Sequence, residues 1–187
     1  MEYDIDFWNK YTDENKLFDK NEFAKFIRDL ATSLRASSVL EVGCNSGNDL
    51  KEFPDDFVVS GIDLNDRALD IARQKFPSFE FKNGSILKIP FEDSSIDFVF
   101  THYLLNYIPE NEIENAIKEL FRVSGKYILT CELYDENEIP LNESTKAWTR
   151  NIYKRWLNFQ VKIISDVDMH EDIEPKKPRF TLVKKII

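Results

Sequence analysis

A short apolar run that ends in a glycine-containing turn is the sequence feature that most constrains the fold. Val39, Leu40 and Val42 are strand-forming residues, and a small polar turn from Gly43 to Gly47 follows them at once. Glycine adopts backbone angles that other residues avoid, and it lets a ligand approach the main chain closely. The stretch therefore predicts a strand, a tight turn crossed by a ligand, and the start of a helix.

An acid at the end of the next apolar run indicates what kind of ligand that is. Asp63 directly follows the apolar run 57–62. In nucleotide-binding α/β folds, an acid at the end of the second strand binds the ribose hydroxyls. Asp63 could instead cap the next helix. A dinucleotide fingerprint needs Gly-x-Gly-x-x-Gly, whereas this turn has Asn45 between its two glycines. A short-chain NAD-dependent reductase is also disfavoured, because no tyrosine from Tyr103 onward has a lysine four residues later.

Composition sets the broad class of the protein. A length of 187 residues, with 42% hydrophobic and 32% charged, suits one soluble globular domain. The net charge of -9 argues against a protein that grips nucleic-acid phosphates. No apolar run approaches the ~20 residues of a membrane helix, and the first residues do not read as a signal peptide. We therefore predict a cytoplasmic protein with no nucleic-acid or membrane partner.

The cysteines and histidines of the sequence predict neither a disulfide framework nor a metal site. Cys44 and Cys131 are interpreted as reduced packing residues, since two cysteines do not make a disulfide framework. The two histidines and two cysteines show no metal-ligand spacing, so no metal site is predicted.

Hydrophobic periodicity predicts strands that alternate with helices along the chain. The predicted helices are 21–34, a short one over 48–53, one capped by Asn65 that runs to Phe76, one from Pro109 closed by Gly125, and one over 143–157. The later strands are predicted near 79–82, 96–101, 126–131, 159–167 and 179–187. This alternation predicts one domain, 1–187, built on a mostly parallel three-layer sheet.

The aromatic opening of the chain predicts a segment that packs onto this domain. Residues 1–35 are interpreted as a helical cap, which either plugs the sheet edge or closes over the active site as a lid.

The pattern Glu41-x-Gly43-x-Asn45-x-Gly47 resembles the first motif of the Rossmann-like S-adenosylmethionine-dependent methyltransferases, usually written Glu/Asp-x-Gly-x-Gly-x-Gly. Asn45 replaces the middle glycine, and asparagine is one of the few residues that tolerate a positive φ. Residues 84–99 resemble the adenine-side loop and fourth strand of the family, and 101–109 resemble its next motif. The resemblance covers the chain from about Phe7 to Ile187. A finer similarity, to methylases associated with pseudaminic acid biosynthesis, is carried by the glycine turn, Phe7-Trp8, 122–129 and His170-x-Asp172.

The resemblance implies a Rossmann-like three-layer α/β/α fold, with a seven-stranded, mostly parallel sheet whose last strand is antiparallel. It implies S-adenosylmethionine as cofactor, with the methionine moiety beside Gly43, the ribose on Asp63, and Leu64 on the adenine. Ser85, at the adenine edge, stands where the family usually has an acid. The implied cofactor residues are Glu41, Gly43, Cys44, Asn45, Gly47, Asp63, Leu64, Ser85, Ile86 and, facing the sulfonium, Thr101.

The implied activity is O- or N-methyl transfer to a small molecule, with a sugar or sugar-nucleotide metabolite as one hypothesis. Candidate bases are His102, Tyr107 and Glu132, of which Glu132 has the better claim as a substrate carboxylate. Predicted acceptor-binding residues are Trp8, Tyr11, Tyr103, Tyr134 and His170. We expect a monomer or homodimer. The alternative is a non-catalytic domain of this fold that binds a metabolite or a partner protein.

Overall fold

A seven-stranded sheet forms the centre of the molecule in the computed structural model, which describes residues 5–14, 22–142 and 147–186. The sheet strands are β1 (Ser38–Val42), β2 (Val58–Asp63), β3 (Glu80–Asn83), β4 (Ile96–His102), β5 (Ser124–Glu132), β8 (Val161–Asp168) and β9 (Arg179–Lys185). Their order in the sheet is β3-β2-β1-β4-β5-β9-β8. Strands β1 to β5 are parallel, whereas β9 is antiparallel to both neighbours. The predicted seven-stranded sheet with an antiparallel last strand is confirmed.

Helices cover both faces of this sheet. They are α1 (Ile5–Glu14), α2 (Glu22–Ser33), α3 (Asp66–Lys75), α4 (Glu110–Val123) and α5 (Ile152–Trp156). One buried cluster joins Phe23 of α2 and Leu69 of α3 to the sheet, and the other joins Ile117 of α4 and Trp156 of α5 to it. Because successive side chains of a strand point to opposite faces, β1, β2, β4, β5 and β9 each supply both clusters. The three layers follow from this alternation. None of the described helices is long and apolar enough to span a membrane.

The predicted start of α3 is confirmed by its cap. The Asn65 side-chain oxygen accepts hydrogen bonds from the backbone N–H groups of Arg67 (3.1 Å) and Ala68 (3.3 Å), which satisfies donors that a helix N-terminus leaves open. The cap of α3 is therefore Asn65, and Asp63 is left for another role.

Two local predictions are wrong because the turn chemistry differs. Residues 48–53 form successive turns rather than a helix, with bonds such as Leu50 N to Gly47 O (3.1 Å) and Phe53 N to Leu50 O (3.1 Å). Gly125 does not cap α4, because the chain passes from Val123 directly into β5. A Cβ on Gly125 would lie 2.9 Å from the carbonyl oxygen of Ser94, so close packing explains this glycine.

The predicted helix over 143–157 is confirmed only over α5 and is wrong over 147–151. A small hairpin forms instead, in which β6 (Pro140–Asn142) pairs antiparallel with β7 (Ala147–Trp148), and only α5 is helical. Residues 143–146 lie outside the described residues. The Thr149 hydroxyl accepts from Ile139 N (2.8 Å), and Arg150 N donates to Leu133 O (2.7 Å). These long-range hydrogen bonds outweigh the weak helix preference of the segment.

Candidate cofactor and acceptor site

A cavity of about 500 Å³ lies at the carboxyl ends of β1, β2, β4 and β5, the edge at which open α/β sheets bind ligands. Its size is within the range of small-molecule sites. We call the part formed by the ends of β1 and β2 and the segment after β3 the cofactor half. The part formed by the ends of β4 and β5, α1, the β6–β7 hairpin and residues 173–176 is the acceptor half. Trp8 and Tyr11 of α1 line the cavity, and residues 1–4 and 15–21 of the predicted cap lie outside the described residues.

The glycine turn keeps its geometry despite the missing middle glycine. Gly43 has φ 82°, Asn45 has φ 45° and Gly47 has φ 74°, all in the left-handed region that asparagine tolerates better than most residues. The N–H groups of Gly43 and Cys44 both donate to the carbonyl oxygen of Ile62 (2.8 and 2.9 Å). Gly43 and Cys44 line the cavity, so the turn presents its backbone there.

Asp63 is held by backbone donors at the base of the cofactor half. Its Oδ2 accepts from Asn45 N and its Oδ1 accepts from Asn65 N, both at 2.8 Å. Burial raises the pKa of Asp63, and these backbone hydrogen bonds act in the opposite direction. Each carboxylate oxygen has a second lone pair, so the side chain can still accept hydrogen bonds from ligand hydroxyls.

Glu41 brings a buried and incompletely bonded acid into the same half. It is 3% exposed and lines the cavity. Burial, and then the charges of Asp49 and Asp63, raise the pKa of Glu41 well above its usual range, which favours the protonated carboxyl. Its Oε2 has no hydrogen-bond partner among the described residues. Because buried polar atoms are almost always bonded, this oxygen indicates a missing ligand group.

His102 is the centre of the polar group in the acceptor half. Its Nδ1 lies 2.7 Å from Asp49 Oδ2, and its Nε2 lies 3.6 Å from Glu174 Oε2. The ring stacks between Phe23 and Tyr103, with centroids 3.7 and 4.4 Å away. A carboxylate at Nδ1 holds the N–H there and leaves Nε2 as an acceptor. His102 therefore has the orientation of a general base, and its Nε2 has no hydrogen-bond partner in the described chain.

Aromatic side chains also line the acceptor half. The rings of Trp8 and Tyr107 are 4.9 Å apart, and those of Trp8 and Tyr11 are 5.6 Å apart. Burial raises the pKa of Tyr11 to about 12 and also raises the pKa of Tyr107. Both phenols keep their protons at neutral pH, so the position of Tyr107 favours a wall residue over the predicted base. Tyr103 has φ 53°, a strained angle for a bulky residue and a common feature of functional sites.

Two predicted residues at strand ends are buried away from the cavity. The Thr101 hydroxyl donates to Glu132 Oε1 (2.8 Å), and Asn106 N donates to Glu132 Oε2 (3.3 Å). Thr101 is 0% exposed and Glu132 is 1% exposed, and neither lines the cavity. Burial raises the pKa of Glu132 to about 7. Their positions thus contradict the expectation that Thr101 faces the sulfonium and that Glu132 contacts the acceptor. Glu132 supports the turn that carries Asn106.

Four other predicted residues also lie outside the cavity lining. Gly47 shapes the turn, Ser85 accepts from Leu87 N through its hydroxyl (3.1 Å), and Tyr134 donates to Glu136 Oε2 (2.7 Å). The His170 side chain is 68% exposed beside Asp172. The predicted residues that do line the cavity are Trp8, Tyr11, Glu41, Gly43, Cys44, Asn45, Asp63, Leu64, Ile86, His102, Tyr103 and Tyr107.

Sequence reasoning missed Asp49 and Glu174. Asp49 lies in the segment predicted as a helix, and Glu174 lies in the connection between β8 and β9. No periodicity marks either one. Only the fold brings them to His102.

The comparisons with known proteins agree with this geometry. A family model described as a methyltransferase domain matches residues 39–126, the part of the chain that contains the glycine turn, Asp63 and the end of β4. This part of the chain is therefore similar to a methyltransferase domain. An uncharacterized methyltransferase of Schizosaccharomyces pombe is 26% identical over 171 residues, covering 88% of this chain and 66% of the relative. The chain spans less than two thirds of the length of the first curated relatives that it matches.

Solved structures of methyltransferases share the fold of this chain. A chain of the complex between the Haloferax volcanii Trm112 methyltransferase activator and a methyltransferase superposes with a TM-score of 0.75, at 14% identity and with 100% of both chains covered. The magnesium protoporphyrin IX methyltransferase of Synechocystis PCC 6803, with bound SAH, has a TM-score of 0.69 at 14% identity, covering 89% of this chain and 83% of that one.

Class I methyltransferase domains use S-adenosylmethionine, and the cofactor half fits it. Gly43 lines the cavity, the Asp63 carboxylate is fixed and can accept further hydrogen bonds, and Glu41 has an unbonded buried oxygen. Leu64, which follows β2 and is exposed, and Ile86, which follows β3 and is buried, supply apolar contacts in the cofactor half.

Proposed function

We propose that this chain transfers a methyl group from S-adenosylmethionine to a small-molecule acceptor bound in the cavity. The proposal rests mainly on the way the Asp63 carboxylate is held. Two backbone N–H groups, one from the glycine turn and one from the cap of α3, hold its carboxylate at 2.8 Å at the edge where such folds bind ligands.

The cofactor half supplies residues for each part of the cofactor. Asp63 would hold the ribose hydroxyls, Leu64 and Ile86 the adenine, and Gly43 and Glu41 the methionine end. When bound, the cofactor provides an electrophilic methyl carbon on a positively charged sulfur. The task of the protein is then to place a nucleophile in line with that carbon, and positioning of this kind supplies much of the rate.

In the acceptor half, we assign the base to His102. Asp49 at Nδ1 fixes the ring and its tautomer, so Nε2 can take the proton that a hydroxyl or ammonium acceptor must lose. Trp8, Tyr11 and Tyr103 would enclose the body of the acceptor and exclude water.

Finer features of the function remain proposals. They are a cap made of residues 1–35, a cytoplasmic location, a monomeric or homodimeric state, and an acceptor of the sugar or sugar-nucleotide type, as the likeness to the pseudaminic acid methylases predicts. The protein partner seen in the Haloferax volcanii complex makes an activator a further hypothesis here.

Calorimetric titration with S-adenosylmethionine and S-adenosylhomocysteine tests the proposal. We expect saturable binding that Asp63→Asn weakens about 10- to 100-fold, since hydrogen bonds to a charged group are lost. Asp70→Asn is the matched control, because Asp70 pairs with Arg73 on the exposed side of α3. Absence of binding by the unmodified protein would refute the proposal. Binding without methyl transfer to any of a panel of amines, alcohols, acids and nucleotide sugars would favour the non-catalytic alternative.

A further inference from the structure

Two carboxylates flank the one imidazole of the acceptor half. The Asp49 and Glu174 side chains are 15% and 17% exposed, and that of His102 is 10% exposed. Lys176, by contrast, is exposed at the rim, with its Nζ 5.4 Å from the centre of the Tyr103 ring. The interior of this half is therefore negative. An anionic methyl acceptor would be repelled by Glu174, and Lys176 is too far out at the rim to compensate that charge.

The two inner acceptor atoms face each other without a proton between them. Asp49 holds the N–H of His102 at Nδ1, so Nε2 and Glu174 Oε2 are both acceptors, 3.6 Å apart. Burial, and then Glu174, raise the pKa of the Tyr103 phenol, so this neighbour keeps its proton. His102 Nε2 is buried and has no partner among the described residues, and the partly exposed Glu174 carboxylate faces it, so a ligand group that donates to both atoms would fit here.

We infer that the methyl acceptor is a small amine, bound through its nitrogen by His102 and Glu174. An ammonium carries several N–H donors and can satisfy both atoms, whereas a hydroxyl has one proton and can satisfy only one. The rings of Trp8, Tyr103 and Tyr107 also favour a cation, since aromatic faces attract positive charge. This inference rests on the proposed methyl transfer and names its substrate class.

The proton and methyl balance of the reaction fits these residues. His102 Nε2 takes one proton from the ammonium, which leaves a neutral nitrogen with a free electron pair. The nitrogen forms a bond to the methyl carbon as the bond from carbon to sulfur breaks. The donor leaves as a neutral thioether, and the product is a methylated ammonium whose charge Glu174 can balance.

Binding to the protein loaded with S-adenosylhomocysteine tests the inference without turnover. Three matched probes share an aromatic body: 2-phenylethylamine, 2-phenylethanol and 3-phenylpropanoate. We expect the amine to bind at least about 10-fold more tightly than the alcohol or the acid. We further expect Glu174→Gln to weaken the amine about 10- to 100-fold, the range for a lost hydrogen bond to a charged group, with the affinity for S-adenosylhomocysteine unchanged.

Two further variants control this experiment. Glu171→Gln removes an acid of the same connection that is exposed and paired with Lys177, and it should leave all affinities unchanged. Glu174→Asp keeps the charge and should retain the preference for the amine, including if Glu174→Gln fails to fold.

The inference is overturned if the alcohol or acid binds as tightly as the amine, if the amine does not bind, or if Glu174→Gln has no larger effect than Glu171→Gln. Failure of the unmodified protein to bind S-adenosylhomocysteine would instead refute the proposed function, and this inference with it.

Discussion

Arg150 is the residue whose removal should damage the fold most directly. Its side chain is 0% exposed, and its guanidinium donates to the carbonyl oxygens of Leu105 (3.1 Å) and Ile108, and to Glu110 (2.9 Å) and Glu138 (3.1 Å). Arg150→Met keeps a long apolar stem but removes all of these donors. We expect the free energy of unfolding to fall by about 3 kcal/mol.

Most of this expected fall in the free energy of unfolding comes from the carbonyl oxygens of Leu105 and Ile108, which lose their donors. Each buried acceptor left without a partner costs about 1–3 kcal/mol. Glu138 keeps hydrogen bonds from Arg155 and from Asn151 N (3.0 Å), and the Glu110 side chain is 63% exposed, so the lost ion pairs add little. For a chain of this length, about 3 kcal/mol corresponds to a fall in Tm of roughly 6–12 °C.

Thermal and urea unfolding followed by circular dichroism would measure the change. Glu110→Gln removes the charge of an exposed carboxylate that pairs with both Arg150 and Arg155, and it should cost less than about 1 kcal/mol. Lys154→Met, at an exposed pair with Glu136, should also cost less than about 1 kcal/mol. If Arg150→Met costs no more than these two, the carbonyl contacts do not stabilise the fold and the reasoning is wrong.

Two further predictions concern a buried acid and the attachment of α1. The pKa of Glu132 is about 7 in the folded protein, whereas its ordinary value is 4.5. The free energy of unfolding should therefore fall by roughly 3 kcal/mol as the pH rises from about 4.5 to 7. Glu132→Gln should remove that slope in urea unfolding at pH 5 and 8, and an unchanged slope would contradict the prediction. The buried Thr12 hydroxyl accepts from the side-chain amides of Asn45 (2.9 Å) and Asn65 (3.4 Å). Thr12→Val should therefore speed amide hydrogen exchange in α1 about 5- to 10-fold. Exchange no faster than with Thr32→Val, at an exposed position of α2, would rule out this attachment.

The cofactor half was predictable because its residues are neighbours along the chain. The glycine turn directly follows β1, and Asp63 directly follows β2, which is parallel to β1 and next to it. Parallel neighbours end at the same sheet edge, so strand prediction alone brings these residues together. The sequence also allowed the prediction that the turn survives the replacement of its middle glycine by Asn45, because asparagine tolerates the positive φ that the structure has there.

Which strand-end residues reach the cavity depends on the face of the sheet. Thr101 pairs with Thr130 and His102 pairs with Cys131, and successive side chains alternate between faces. Thr101 therefore turns toward Glu132, whereas His102 turns toward Phe23 and the cavity. The sequence placed all three near the end of a strand but did not distinguish them.

By itself, the sequence determined the order of strands and helices and the cofactor turn, because both depend on local spacing and on residue conformation. The tertiary structure alone decided the acceptor half. Asp49 and Glu174 meet His102 from separate connections. A hairpin, together with hydrogen bonds that Arg150 donates to Leu105 and Leu133, replaces part of the helix predicted from the sequence. Contacts between distant segments leave no periodic signal in the chain, so these features appear only once it is folded.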